Sequence, residues 1–180
     1  MGTRNLTCVV EDNKFKLAQY CQWDGYPSGQ GKTIRDFIVR KLNKKIFIRE
    51  LNKLKELTVD ELNKRWEEVD EKSVEMKETY PALSRDTGAK ILYMIQRKKI
   101  KEVFSDLDFT KDSLFCEYCY VIDLDNDILE IYRGYCQEPP LQEDRFSSNA
   151  LPEEGYYPVQ LRKKFKFSEL KPLPKYFLDK

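Results

Sequence analysis

Apolar and polar positions change rhythm three times along the chain. Residues 4–11 and 15–22 are short, β-branched and apolar runs on either side of Asp12-Asn13-Lys14, which predicts a β-hairpin. Between residues 33 and 101 the spacing becomes helical. Thr33, with Asp36 three residues on, offers the N-cap of a helix running to about Leu42, and Ile46, Phe47, Leu51 and Leu54 continue at helical intervals. Thr58 and Glu61 have the spacing of a capping box for a charged helix carrying Trp66 and Val69, which Pro81 ends. A further helix is expected to begin near Asp86-Thr87, with Ala89, Leu92, Tyr93 and Ile95 on one face. From Phe115 the pattern returns to strands. Phe115–Asp123 and Ile128–Arg133 flank the turn Leu124-Asp125-Asn126-Asp127, and a last strand runs from Val159 to Phe167.

Segregated strand and helix runs predict an α+β fold. Its antiparallel sheet would be built from the N-terminal hairpin and the C-terminal strands, with the central helical segment packed on it. The expected organisation is one domain over 1–180. It comprises a hairpin (4–22), a Gly-rich loop (23–33), the helical segment (33–101), a second hairpin (115–133), a long loop (134–157), and a final strand and tail (158–180).

Composition narrows the function classes. Thirty-two Lys and Arg nearly balance 31 Asp and Glu, so the net charge of +1 gives no global pull toward nucleic acid or membrane. The basic runs Arg97–Lys101 and Arg162–Lys166 read as solvated faces. No apolar run approaches the ~20 residues of a membrane span, and the polar start shows no signal peptide. Five cysteines without framework spacing point to a reduced, cytoplasmic protein. Histidine is absent, which removes the commonest general base, the commonest metal ligand and every histidine-based triad. The chain is therefore read as leaning away from catalysis, with no cofactor and no metal.

The densest chemical signal is Trp23-Asp24-Gly25-Tyr26-Pro27-Ser28-Gly29-Gln30-Gly31-Lys32-Thr33, between a strand and a helix. Glycines there let backbone approach a ligand, and a helix N-terminus favours an anion. The segment ends like a phosphate-binding P-loop, with Tyr120-Val121-Ile122-Asp123 resembling its acidic partner strand. Two features oppose that reading. The motif's first glycine would stand at Tyr26, with Gly25 one residue out of register, and a hairpin is not the parallel sheet that a P-loop requires.

Other patterns carry less. Cys116-Glu117-Tyr118-Cys119 has no second pair, and in a strand its two thiols would face opposite sides; buried side chains are expected. Asp86-Thr87-Gly88 matches the aspartic-protease tripeptide, but that chemistry needs two such loops. It reads better as a helix cap, with Arg85 beside it as an anion contact. Asp123, Asp125 and Asp127 begin like a calcium loop, yet loop positions six and twelve are Ile128 and Gly134, so a hairpin turn is expected. An N-terminal nucleophile is poorly supported, because Met removal would expose Gly2.

Met1-Gly2-Thr3-Arg4, the string Gln19-Tyr20-x-Gln22-Trp23-Asp24-Gly25-Tyr26-Pro27-Ser28-Gly29-Gln30-Gly31, Ser84–Ala89 and the Tyr120–Tyr132 hairpin resemble a family of uncharacterised proteins from phages, bacteria and fungi. The resemblance implies a shared fold and a shared site at the two loops; it carries no activity.

The leading expectation is a binding protein for a small phosphorylated or nucleotide-derived anion, such as a phage protein that sequesters a host signalling nucleotide. Backbone N–H groups of Gly29, Gly31 and Lys32, with Thr33 at the helix start, would hold phosphate, and Trp23 or Tyr26 would stack on a base. Arg4 and Arg85 are the expected bidentate partners, and Asp24 and Gly25 complete the loop. One alternative is a hydrolase or phosphotransferase using Asp24 or Asp86 as base and Lys32 as electrostatic stabiliser. Another is an interaction module whose 134–157 loop presents Tyr135, Phe146, Tyr156 and Tyr157 to a protein partner or a second copy.

Overall fold

The computed structural model describes residues 2–69, 74–147 and 155–178. Strands β1 (Asn5–Glu11) and β2 (Lys14–Cys21) form the N-terminal hairpin. Helices α1 (Lys32–Arg40), α2 (Lys44–Leu51), α3 (Val59–Glu68), α4 (Val74–Thr79) and α5 (Lys90–Gln96) follow. Two-residue strands β3 (Lys55–Glu56) and β4 (Glu102–Val103) pair with each other across the helical segment. Strands β5 (Tyr118–Asp123) and β6 (Ile128–Arg133) form the second hairpin, and β7 (Gln160–Lys166) completes the sheet. The α+β class and both hairpins are as expected.

The main sheet has the order β2-β1-β5-β6-β7. The two hairpins meet through a parallel pairing of β1 with β5, so the sheet is mixed. Alternation then separates two apolar layers. Val9, Leu17, Tyr120, Ile122 and Ile131 face the helices, where they meet Ile34 and Phe37 of α1, Phe47 of α2 and Leu92 of α5. Each fully buried side chain of this kind contributes about 1.5–3 kcal/mol. Leu6, Cys8, Ala18, Cys119 and Val121 face the other way and are covered by Leu107, Phe109, Phe146 and Leu161. The described part of the 134–157 loop is pinned to this second layer. The ring of Phe146 lies 5.8 Å from Phe15 and 4.8 Å from Tyr132 and packs, partly buried, against this layer.

Two helix starts differ from expectation. A short π-helical turn, Pro27–Gly31, precedes α1, so Thr33 lies inside the helix and donates its hydroxyl to the Gly29 carbonyl (3.2 Å). Asp36 consequently pairs with Lys32 and Arg35 and closes no capping box. Asp86 and Thr87 do not cap α5, which begins at Lys90; Thr87 Oγ1 donates instead to the Pro81 carbonyl (2.5 Å). The Thr58–Glu61 capping box is formed as expected. Cys116 and Cys119 are both fully buried on the same apolar layer, because β5 starts only at Tyr118 and strand alternation does not reach position 116. Among the described residues no helix is long and apolar enough to cross a membrane.

Candidate functional site

The segments that open after β2 and before α5 are fastened side by side. Gln22 N–H donates to the Arg85 carbonyl (2.9 Å), and the Trp23 indole N–H donates to Asp86 Oδ1 (2.9 Å). Gln30 links them again. Its Oε1 accepts from Ala89 N–H (2.9 Å), which satisfies a free donor at the start of α5, while its Nε2 donates to the Trp23 carbonyl (3.3 Å).

The glycines of this loop serve the protein's own packing. A Cβ on Gly29 would lie 2.3 Å from the Asp24 carbonyl oxygen, and one on Gly31 would lie 2.9 Å from the Tyr120 ring. The Gly25 carbonyl accepts from the Tyr120 hydroxyl (2.7 Å). Their N–H groups are also engaged. Gly29 donates to the Tyr26 carbonyl (3.0 Å), Gly31 to the same carbonyl (3.3 Å), and Lys32 to the carbonyl of Gly29. The expected cradle of backbone donors is therefore closed, because the π-helical turn satisfies those donors internally. Tyr26 is likewise no stacking platform; its ring packs edge-on against Tyr118 (6.2 Å) beside the helix-facing core.

Side chains open where the backbone closes. A cleft of about 640 Å³ lies between the loop, the start of α1, Lys77 of α4 and the start of α5. Of the expected residues, Trp23, Asp24, Gly29, Lys32 and Thr33 line it; Asp36, Lys77, Asp86 and Lys90 join them. Trp23 is 42 % exposed. Lys32 pairs with Asp36 (3.1 Å) and Lys77 with Asp86 (3.2 Å). Burial alone would raise the Asp86 carboxyl, but the Trp23 N–H and the Lys77 ammonium outweigh it and hold the group below its ordinary range. At Asp36 burial is again opposed, here by Arg35 and Lys32, with the same net direction. Neither the Asp24 carboxylate nor the Lys90 ammonium makes a hydrogen bond or ion pair among the described residues. The lining thus holds three lysines and three carboxylates, with Arg35 and Arg40 pairing with Asp36 from outside it.

The structure does not bring Arg4 or Arg85 to this cleft. The Arg4 guanidinium sits 4.5 Å above the Phe115 ring, and Arg85 lines a separate cavity behind the joined loops. Lys77, Asp86 and Lys90 lie far from the glycine string in sequence, and Gln30 sits inside it without an expected role. Of the three distant residues only Asp86 carries a sequence signal, since it falls in Ser84–Ala89, a segment of the resemblance; Lys77 and Lys90 carry none. Comparison of the chain with protein-family models, with curated proteins and with solved structures finds no match. Among the described residues no group of acidic and cysteine side chains could hold a metal ion.

Proposed function

We propose that the chain is a binding protein for a small phosphorylated ligand of the nucleotide class, taken into the polar cleft. The observation that carries this reading is the group of three lysines around the cleft, with Lys90 unpaired among the described residues and one exposed indole on the wall. Lys77 and Lys90, with Lys32, would meet the phosphates as point charges, and the Trp23 ring would stack on the base. Asp24 is placed to accept from sugar hydroxyls. Calorimetric titration with ATP and GTP tests the reading. Saturable heat that weakens about tenfold or more in the Lys77→Ala/Lys90→Ala protein supports it. Absence of heat with either nucleotide overturns it.

One observation favours a second reading, turnover of the same ligand. Asp86 is engaged by Trp23 and Lys77, whereas the Asp24 carboxylate is free in the cleft and could act as a base. Phosphate release on mixing, abolished in Asp24→Asn, would establish it.

A further inference from the structure

Behind the joined loops lies a second cavity of about 290 Å³, on the open edge of the sheet at β2. Its position on an edge strand explains its composition. Side chains of both faces of β2 reach it, Gln19 from the helix-facing side and Tyr20 from the other. Trp66 of α3, Phe104 and Phe109 supply further ring surface, with the Tyr20 and Phe109 rings 5.3 Å apart and edge to face. The volume is at the small end of ligand pockets, about 300–1,000 Å³, and suits one ring system better than a whole nucleotide.

Three polar groups of this cavity lack partners among the described residues. Gln19 is 3 % exposed, and its Oε1 is buried without a hydrogen bond. Its amide orientation is set by Nε2, which donates to the Tyr20 carbonyl (3.0 Å) and leaves Oε1 unpaired beneath the cavity wall. The Arg85 guanidinium makes no hydrogen bond or ion pair, and neither does the half-buried carboxyl of Asp106. Burial, assisted by Asp108, pushes the Asp106 carboxyl above its ordinary value, as expected for a desolvated acid without a counter-ion. The buried Gln19 Oε1 costs stability unless something pairs with it, and Arg85 and Asp106 stand as charged groups open to a ligand.

We propose that this cavity binds a planar nitrogen heterocycle of the nucleobase class, with the edge pattern of guanine. The Arg85 guanidinium matches the O6 and N7 acceptors of guanine, and the Asp106 carboxylate matches its ring and exocyclic N–H donors. Adenine offers Arg85 one acceptor fewer, and inosine lacks the exocyclic amine. Aromatic walls supply the apolar contact to the ring faces. The site is separate from the polar cleft and does not rest on the ligand proposed there.

The two tryptophans make the sites separable, since Trp23 reports on the cleft and Trp66 on this cavity. The test is titration of Trp23→Phe protein with guanosine, which carries no phosphate, following Trp66 emission. Saturable quenching is expected, about tenfold or more weaker with adenosine and inosine, and lost in Arg85→Ala and in Asp106→Ala. A urea midpoint equal to that of the parent confirms that each variant is folded. If a variant fails to fold, the nucleoside ranking on the parent decides alone. No quenching by guanosine overturns the proposal, as does equal quenching by guanosine, adenosine and free indole, which would mark a merely apolar cavity.

Discussion

The two ends of the sheet both carry charged and turn-forming residues, yet they differ in what those residues leave free. At the hairpin-tip end, Asp123 Oδ1 accepts from the N–H groups of Asp125 and Asn126 (both 3.0 Å). Asp125 reaches across to the other hairpin and accepts from Asp12 N–H (3.0 Å) and Asn13 N–H (2.9 Å). Asp127 pairs with Lys44 (2.8 Å), and Arg145 bridges Asp123 and Glu130 at 2.8 Å each. The acidic cluster is thus fully engaged in holding the hairpins together. At the glycine-loop end the π-helical turn engages its own backbone, but the Asp24 carboxylate and the Lys90 ammonium face a cleft with no partner among the described residues. Local density of chemically capable residues does not make a site. Polar atoms left without partners in a concave space do.

This contrast can be broken at several points. The largest effect is expected at Arg145. Arg145→Ala leaves Glu130, whose side chain is only 5 % exposed, with one cation fewer, and a loss of about 3 kcal/mol is expected in urea denaturation. The same cluster sets an acid limit. Burial alone would raise Asp123 and Glu130, but Arg145, with Asn126 at the first and Tyr132 and Lys164 at the second, holds both below their ordinary values. Folded values below the unfolded ones mean that this stabilisation is complete at neutral pH. It is lost as pH falls below about 4, so the wild type should show a steeper acid decline than Arg145→Ala. Next comes the loop backbone. Gly29→Ala forces a Cβ to 2.3 Å from the Asp24 carbonyl oxygen, and a loss of about 2 kcal/mol is expected in the same denaturation series. Gln30→Ala removes the acceptor that joins the loop to α5 and the donor that holds the Trp23 carbonyl, and about 1 kcal/mol should be lost. Asp24→Asn and Lys90→Ala should leave the urea midpoint within about 0.5 kcal/mol while altering ligand affinity. A large destabilisation from either would place them with the structural end.

The same division between local and long-range contacts separates what the sequence made legible from what it did not. The hairpin turns and the Thr58–Glu61 box depend on residues within a few positions, and they are formed as read. The parallel pairing of β1 with β5 joins residues more than a hundred positions apart and has no local signature. The glycine loop was legible as special but not as closed, because its donors are satisfied by a π-helical turn where an α-helical start was expected. Lys77 and Lys90 reach the cleft only through tertiary packing, and Gln30 acts as a helix cap from 59 positions away. Charge and sequence proximity do not bring Arg4 or Arg85 to the cleft. The Gln22–Arg85 backbone bond that joins the loops is a long-range contact with no local signature.

The most direct measurement of the central claim is the emission of Trp23 in Trp66→Phe protein during titration with ATP and GTP. If the polar cleft holds a nucleotide through lysine side chains and the indole, emission should be quenched to saturation. The midpoint should move about tenfold or more upward when Lys77 and Lys90 are both alanine. Emission that does not change, or a midpoint indifferent to both lysines, would contradict the account and leave the glycine-loop end as structural as the hairpin tips.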